Sequence, residues 1–313
     1  MGQARPDVSI VIVNWNTRAY LLDCIASLKA TTEHATLELV VVDNGSHDGS
    51  VEAVRAAHPD AVVLENGANL GFAKANNVGF RVATGRYVCL VNTDVIALAG
   101  VIDTMVDHLD RQPDVGALGP RTVTREGALR QNCRRFPSLA NAAGDYLMLK
   151  RLLPGRFAGR TLPADTYGRT HDAEVLSGCF LMVRREVLDQ VGPLDEVFFF
   201  YGEDTDWCRR IHDAGWRLVY LADAEAVHFG GGSSGDRPEA YYLTMEKADL
   251  TYWRKHHGPA ARAAYVAMKT VYHAASTLAW VPLAAARRDG PSLRKLRGHA
   301  NNLVWLVTRR SIV

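Results

Sequence analysis

The chain of 313 residues has little of several features that define other classes of protein. It has only five cysteines and no Cys-x-x-Cys pair, which argues against a zinc cluster or a disulfide framework and favours a reducing cytosol. Its formal net charge of +2 is too small to indicate nucleic-acid binding through bulk charge. Its first residues lead directly into an apolar run, without the pattern of a signal peptide. These absences favour a cytoplasmic protein that does not bind nucleic acid.

What the chain does contain is a repeated alternation of apolar runs and helix-like segments. Val8–Val13 and Leu37–Val42 are typical of strands buried on both faces, and a polar loop and a helical pattern follow each of them. A helix predicted over Phe72–Ala83 precedes a further run, which ends at Asn92–Asp94 and is followed by Val95 and an apolar, helix-like segment. This order predicts an α/β protein, with βαβ units, a mostly parallel sheet and flanking helices.

The second half of the chain has a less regular pattern. Arg121–Thr170 is rich in Gly, Pro and Arg and predicts a loop or subdomain near a functional site. Beyond it we predict strands over Glu174–Arg184 and Trp216–Leu221, with a helix over Trp207–Ala214 between them. A glycine-rich loop follows over His228–Gly235. These elements extend the predicted α/β domain to about residue 236.

The remaining residues, 237–313, predict a C-terminal helical and basic extension. Its tail, Arg287–Val313, carries seven Lys or Arg and one Asp beside the apolar run Leu303–Val307, which contains Trp305. Basic residues next to such a patch suit the surface of an anionic membrane. The alternative is a helical hairpin packed on the domain or on a second subunit, as in a homodimer.

Acidic residues stand at three points where a strand or loop ends. They are Asp43, Asp94 and the segment Glu203–Asp206. Each one alone is explained by a turn or a helix cap. Asp43 and Asp94, however, both follow parallel strands, whose carboxyl ends bind ligands in open α/β sheets. We therefore expect these two carboxylates to converge on one site.

The motifs around these residues point to one family. In order they read VSIVIVNWN, VVDNGSHDGS, NLGFAKANNVGF, VNTDV, SGCFLMVRR, FFFYGEDTDWCRR and HFGGGSS. Together they resemble the family 2 inverting glycosyltransferases of GT-A (Rossmann-like) fold, over the range Val8–Ser234. The resemblance implies an enzyme that transfers a sugar from a nucleotide-sugar to an acceptor hydroxyl, with inversion at the anomeric carbon. Within the family, the motifs are similar to rhamnosyltransferases of cell-wall and surface-polysaccharide synthesis.

The resemblance also assigns residues to the nucleotide-sugar. Asp43 matches the family's first aspartate, which accepts hydrogen bonds from the nucleobase or ribose. Other polar or small residues on adjacent loops and helix starts are expected to line the same pocket: Asn14, Asn16, Asn69, Gly71, Lys74 and Asn76. For Lys74 and Asn76 the alternative is simple solvent exposure.

A divalent cation, Mg²⁺ or Mn²⁺, is the implied cofactor. Asn92, Thr93 and Asp94 occupy the place of the family's Asp-x-Asp, where a carboxylate holds the ion that bridges the two phosphates. Because Asn92 offers only a neutral carbonyl oxygen, Asp94 is left as the main anionic ligand. His228 is the second expected ligand, by resemblance; as an isolated histidine it would be interpreted as packed or capping.

An inverting transfer needs a base that removes the acceptor's proton. Asp204 is the candidate by resemblance, and Glu203 is expected to raise its pKa by like-charge repulsion or to bind the acceptor. Ser177, Gly178 and Cys179 are expected to line the sugar or acceptor pocket.

The substrates are predicted less directly. The preferred donor is dTDP-L-rhamnose, with a UDP-hexose or UDP-galactofuranose as the alternative, and the acceptor is a lipid-linked glycan or polysaccharide at the inner face of the cell membrane. A catalytically inactive nucleotide-binding scaffold is the alternative outside this class, and the complete Glu203–Asp204 pair argues against it. A nucleotidyltransferase is disfavoured, because the loop Asn14–Thr17 lacks glycines and a basic residue.

Overall fold

The structure, a computed structural model, describes residues 5–153, 156–230 and 239–309, with the side chains of residues 239–241 left out. The chain forms two compact units. The described residues of the first lie within Met1–Arg135, Thr161–Phe199 and Glu203–Ser233. Those of the second lie within Phe136–Arg160, Phe200–Gly202 and Ser234–Val313. The predicted boundary near residue 236 and the Gly231–Gly235 part of the glycine-rich loop fall outside the described residues.

The first unit is built around a large mixed sheet. The strands of this unit are β1 Val8–Asn14, β2 Leu37–Asp43, β3 Val62–Glu65, β4 Tyr87–Val91, β5 Val95–Ala97, β6 Val115–Val123, β7 Leu129–Arg130, β8 Cys133–Arg134, β9 His171–Asp172, β10 Val175–Leu176, β11 Phe180–Arg184 and β12 Arg217–His228. The main path of the large sheet has the order β3-β2-β1-β4-β11-β6-β12-β5, while β7 pairs with β6 and β9 pairs with β12. Strands β8 and β10 form a separate pair.

Helices flank this sheet in the first unit and make up most of the second. The helices are α1 Arg18–Thr31, α2 Ser50–Ala57, α3 Phe72–Val82, α4 Val101–Arg111, α5 Leu139–Tyr146, α6 Leu149–Leu152, α7 Arg185–Val191, α8 Glu203–Asp213, α9 Glu239–His256, α10 Pro259–Arg287 and α11 Gly290–Thr308, with a 3₁₀ helix over Ala164–Gly168. Among the described helices, none combines the length and apolarity needed to cross a membrane.

The parallel half of the sheet arises where the sequence is most regular. Strand β1 pairs in parallel with β2 and β4, and β2 pairs in parallel with β3. Most side chains of β1 and all those of β4 are buried, as strands covered on both faces require. The register sets Asn14 opposite Asp43, so the polar ends of β1 and β2 meet. The prediction of a mostly parallel sheet with flanking helices is confirmed.

Four local predictions need correction. Glu174–Arg184 is not one strand, since Ser177–Cys179 separates β10 from β11, and β11 runs antiparallel to β4. The segment after Asp94 begins with the short strand β5 rather than a helix. Helix α8 begins at Glu203, four residues earlier than predicted, and β12 extends beyond Leu221 to His228. The pairing of β12 with β5 explains this extension, because long-range pairing overrides local pattern.

The second unit is a group of helices. Helix α10 packs against α11, α9 and α5. Its interior contains Trp253 stacked on Tyr265, with ring centroids 4.4 Å apart. Pro259 opens α10 at its first position, where its missing N–H has no partner to lose. The predicted helical character of the chain beyond residue 240 is therefore confirmed for the described residues.

Candidate active site

The ends of β1 and β2 are tied together by side-chain hydrogen bonds. Asn14 Nδ2 donates to Asp43 Oδ1 and to Ser46 Oγ, each at 2.9 Å. The other Asp43 oxygen, Oδ2, accepts from the backbone N–H of Gly45 and Ser46. Asn16 N donates to Ser46 Oγ at 2.9 Å. The predicted residues Asn14, Asn16 and Asp43 are thus brought together, around the serine of the DNGS motif.

A second polar loop lies beside this one. Asn44 Nδ2 donates to Gly71 O at 3.2 Å and to Asn69 Oδ1 at 3.3 Å, while Asn69 Oδ1 also accepts from Gly71 N. Gly71 adopts φ +83° at the start of α3, and a Cβ on it would lie 2.4 Å from Phe199 O. Only glycine permits this backbone and this close approach. Asn69 and Gly71 therefore lie next to the Asp43 cluster, as predicted from the motif order.

A pair of buried threonine hydroxyl groups connects the ends of β1 and β2 to the segment that follows β4. Thr17 Oγ1 lies 2.8 Å from Asn14 Oδ1 and 2.9 Å from Thr93 Oγ1. A hydroxyl has one proton to donate, so Thr17 donates to the asparagine oxygen and accepts from Thr93. Both threonines are nearly inaccessible. A continuous hydrogen-bonded chain thus runs from Asp43 through Asn14 and Thr17 to the residue before Asp94.

Asp94 lies against His228, as the sequence analysis predicts. Asp94 Oδ1 is 3.3 Å from His228 Nε2, and the backbone carbonyl of Asp94 accepts from Phe229 N at 2.9 Å. Both side chains are mostly buried, at 8% and 16% exposed. Burial lowers the pKa of His228, but the charge of Cys179 and the hydrogen bond and charge of Asp94 outweigh it and raise the pKa to about 10. Burial likewise raises the pKa of Cys179, and the positive His228 outweighs it and leaves that pKa below its usual value.

The donor atoms here suit a hard divalent cation. Asp94 offers carboxylate oxygens and His228 an imidazole nitrogen, a set that Mn²⁺ accepts and that leaves positions open for phosphate oxygens. Within the described residues, no group of three or more His, Cys, Asp or Glu side chains converges in metal-binding geometry. Asp94 and His228 could therefore hold an ion only if its remaining ligands came from the substrate and water.

Asp204 faces the loop between β10 and β11. Its Oδ2 accepts from Gly178 N at 3.3 Å, and its Oδ1 accepts from Thr205 N at 2.6 Å. Gly178 precedes Cys179, whose carbonyl accepts from Asn92 N at 2.9 Å. The loop that interrupts the predicted strand therefore links the candidate base to the Asn92–Asp94 segment: Gly178 bonds to Asp204, and Cys179 bonds to Asn92.

Glu203 has a different environment from its neighbour. Its side chain is buried, and its Oε2 has no hydrogen-bond partner among the described residues. Burial first, and then the Asp204 carboxylate, raise the pKa of Glu203 well above its usual value. The first turn of α8 therefore carries a carboxyl group that burial favours in its neutral form, next to Asp204, whose oxygens accept hydrogen bonds.

Three further acidic or polar residues of the motifs, Asp206, Asn76 and Lys74, have different environments. Asp206 is fully buried and pairs with Arg210 at 2.9 Å, as expected for a residue assigned to the fold. Asn76 is buried and donates to Phe72 O at 2.9 Å, within its own helix. Lys74 is exposed on the same helix. The donor-binding roles of Asn76 and Lys74 stay predictions.

Sequence reasoning missed three residues that organise the site. Ser46 bridges the loops after β1 and β2, Thr17 joins β1 to the Asp94 segment, and Asn44 holds the start of α3. Ser46 and Asn44 lie inside the DNGS motif, which could have indicated them. Thr17 had no such signal, because its partner Thr93 is 76 residues away in sequence.

Comparisons with known proteins agree with this geometry. The chain is 32% identical over 266 residues to an N-acetylglucosaminyl-diphospho-decaprenol L-rhamnosyltransferase of Mycobacterium tuberculosis, covering 79% of this chain and 84% of that protein. It is 24% identical to the rhamnosyltransferase WbbL of Escherichia coli, covering 71% of this chain and 83% of that one.

A solved structure shares the fold. The mannosyltransferase PcManGT from Pyrobaculum calidifontis, in complex with GDP-Man and Mn²⁺, aligns with a TM-score of 0.56 at 19% identity, covering 98% of this chain and 87% of that one. The model of the family described as glycosyl transferase family 2 matches residues 9–192. The GT-A fold and the order of the strand-end motifs agree with that match. The chain therefore belongs to glycosyl transferase family 2 and is a glycosyltransferase of the hexosyltransferase type.

Proposed function

We propose that this enzyme transfers L-rhamnose from dTDP-L-rhamnose to a hydroxyl of a lipid-linked glycan, with inversion at the anomeric carbon. The observation that carries the proposal is the placement of Asp94 against His228, with Asp204 joined to the same region through the Gly178–Cys179 loop. A site for a diphosphate and a site for a base are thereby adjacent. The similarity to two rhamnosyltransferases supports the choice of sugar.

The donor nucleotide lies over the ends of β1 and β2 in this proposal. Asp43 and Asn14 form the polar floor for the nucleobase or ribose, and Asn16 borders it. The loop of Asn69 and Gly71 offers small residues and a helix start beside the nucleotide. Asn92 and Thr93 lie next to the diphosphate, followed by Asp94.

Asp94 and His228 would hold the divalent cation. When bound, Mg²⁺ or Mn²⁺ neutralises the charge on the departing nucleotide diphosphate. Asp94 is the anionic ligand, and His228 must be neutral to ligate, so the ion competes with a proton at that nitrogen. Asn92 adds a neutral carbonyl oxygen to the same segment.

Asp204 takes the proton of the acceptor hydroxyl as that hydroxyl attacks the anomeric carbon. Its two oxygens are oriented by the N–H groups of Gly178 and Thr205, which fix the carboxylate toward the loop of Ser177–Cys179. Glu203, which burial favours in its neutral form, stands beside Asp204 and leaves the proton transfer to it. The loop lines the sugar or acceptor pocket.

The acceptor is proposed to be lipid-linked because the M. tuberculosis relative is named for a diphospho-decaprenol substrate. The enzyme would then work at the cytoplasmic face of the cell membrane. Its basic C-terminal residues, Arg287–Val313, favour contact with anionic lipid there. Soluble polysaccharide remains the second class of acceptor to be assayed.

A screen of nucleotide-sugars tests the donor and the metal together. Hydrolysis and binding are measured for dTDP-rhamnose, UDP-glucose and UDP-galactofuranose, with Mn²⁺, with Mg²⁺ and with EDTA. We expect dTDP-rhamnose to be used, and a divalent cation to be required. Turnover of a UDP-sugar alone would replace the donor assignment, and binding without any turnover would support the inactive scaffold.

The Asp94→Ala variant tests the site itself. We expect it to abolish transfer and leave the melting temperature within a few degrees of the wild type, because Asp94 serves the ligand rather than the core. Asp107→Ala is the control, because it removes a carboxylate from helix α4, outside the proposed site, and should leave transfer unchanged. Full activity of Asp94→Ala would show that the diphosphate site lies elsewhere.

A further inference from the structure

Helix α10 presents an apolar stripe to solvent along most of its length. The stripe repeats with the spacing three and four that aligns residues on one helix face. Val271, Leu278 and Val281 are 57%, 74% and 51% exposed. Its six exposed members are Ala264, Ala267, Val271, Leu278, Val281 and Ala285. A continuous apolar surface of this kind marks an interaction site more often than chance exposure does.

The polar residues of α10 point away from this stripe. Lys269 and His273 are buried, at 5% and 3% exposed, where Glu246 accepts hydrogen bonds from both. The hydroxyls of Thr270 and Thr277, beside the stripe, donate to the carbonyls of Val266 and His273 in their own helix. The middle of the helix therefore buries Lys269 and His273 and exposes an apolar face, the reverse of an ordinary surface helix.

Basic groups lie near the C-terminal end of the stripe. Helices α10 and α11 with their caps, residues 259–309, contain eight Lys or Arg, of which Lys269 is buried, and only one Asp. Arg287 and Arg288 are exposed at the end of α10, beyond the last member of the stripe. Exposed cations at the end of an apolar face match the boundary between lipid headgroups and acyl chains.

The positive charge of this part of the chain also distinguishes between two possible partners for the stripe, a second copy of the chain and a lipid surface. A second copy of the chain, packed stripe to stripe, would bring the same excess of positive charge against itself, which opposes association. An anionic lipid surface complements that charge and attracts the basic residues near it. The charge distribution therefore favours lipid over a second subunit.

We infer that the outer face of α10 lies in the surface of an anionic bilayer, with Leu278 and Val281 among the acyl chains and Arg287 and Arg288 at the phosphates. This surface shares Arg287 and Arg288 with the basic tail proposed above and adds an apolar part on α10 that precedes them. The inference deepens the proposed function, which places the acceptor at the membrane.

Sedimentation of the full chain with vesicles tests the surface. Vesicles of equal parts phosphatidylglycerol and phosphatidylcholine are compared with phosphatidylcholine alone. We expect Leu278→Glu/Val281→Glu to weaken binding to the anionic vesicles by roughly tenfold or more. Leu152→Glu is the matched control, since Leu152 is 72% exposed on α6, and it should bind as the wild type does. Arg287→Gln/Arg288→Gln should lose most of the preference for phosphatidylglycerol.

Three outcomes would overturn the inference: no vesicle binding by the wild type, equal loss in the Leu152→Glu control, or unchanged binding of the double glutamate variant. Gel filtration of the same variants detects the competing occupant, because a dimer that Leu278→Glu/Val281→Glu dissociates would assign the stripe to a second copy. Nucleotide-sugar hydrolysis without vesicles reports on the proposed function separately. The glutamate variants should retain it, so failure of one proposal is distinguishable from failure of the other.

Discussion

At the scale of single residues, Glu203 and Asp204 show how adjacent carboxyl groups acquire different chemistry. Glu203 is enclosed, and burial raises its pKa well above the usual range. Asp204 accepts hydrogen bonds from two backbone N–H groups, which orient its oxygens. A carboxyl group that burial favours in its protonated form is poorly suited to remove a proton, so Glu203 is the weaker candidate for the base.

Amide substitutions separate the two roles. Asp204→Asn should lower kcat by roughly 10²–10⁴-fold, since the variant cannot accept the acceptor's proton. Glu203→Gln should stay within a few-fold of the wild type, because glutamine resembles the neutral acid that Glu203 already is. Initial rates at saturating donor measure kcat for both variants. Nucleotide binding by each variant checks that it is folded. If Glu203→Gln were the inactive variant instead, the base assignment would pass to Glu203.

Sequence reasoning identified Asp43 and Asp94 from their positions at strand ends, and Asp204 and His228 from the family motifs in which they lie. Asp43 and Asp94 were predicted to converge because each follows a parallel strand, and the hydrogen-bonded chain from Asp43 to Thr93 agrees with that argument. Thr17 could not be identified, because its role depends on a contact between distant segments. The catalytic and binding roles of the predicted residues stay predictions until they are assayed.

At the scale of elements, the turn into α3 depends on one backbone conformation. Gly71 combines a positive φ with an extended ψ of 176°, and the next residue, Phe72, donates its N–H to Phe199 O at 2.7 Å. The carbonyl of Gly71 also accepts from Asn44, within the loop proposed for the nucleotide. Any side chain at this position would meet the Phe199 carbonyl.

Gly71→Ala should therefore lower the free energy of unfolding by about 3 kcal/mol or more, from backbone strain and the clash together. Gly67→Ala is the control, because Gly67 also has a positive φ but nothing within 4 Å of its Cβ position. It should cost only about 1 kcal/mol. Urea unfolding of both variants gives the comparison, and equal losses would mean that the Phe199 contact contributes nothing.

Strands are predictable from the sequence where the local pattern of apolar residues agrees with the pairing to distant strands. The parallel strands β1, β2 and β4 are apolar runs between clear breaks, so their pattern was sufficient. The break at Ser177–Cys179 is short, and the apolar residues on both sides of it favour one continuous strand. What creates the break is tertiary: Asn92 N bonds to Cys179 O and Gly178 N to Asp204. Sequence pattern alone does not contain those partners.

At the scale of the whole molecule, the second unit is organised around buried charge as well as apolar packing. Glu246 Oε2 lies 2.8 Å from Lys269 Nζ and 3.1 Å from His273 Nε2. His273 Nδ1 in turn lies 3.0 Å from His299 Nδ1, so only one of these two nitrogens can carry a proton. A periodic helical pattern predicted the helices, but the burial of Lys269 and His273 could not be anticipated from it, since charged residues are usually exposed.

This network should make stability fall in mild acid. Burial first, and then the positive charges of His273 and Lys269, lower the pKa of His299 from 6.5 to about 4. The unfolded chain therefore binds more protons than the folded one between these values, so His299 contributes fully above pH 6.5 and its contribution is lost as pH falls toward 4. After allowance for solvent screening, the loss is roughly 1–2 kcal/mol.

Urea unfolding of His299→Gln between pH 6.5 and 4 should show a shallower decline in stability than the wild type, while the control His34→Gln, at an exposed histidine, should decline as the wild type does. Parallel declines for His299→Gln and the wild type would mean that acid acts on other groups.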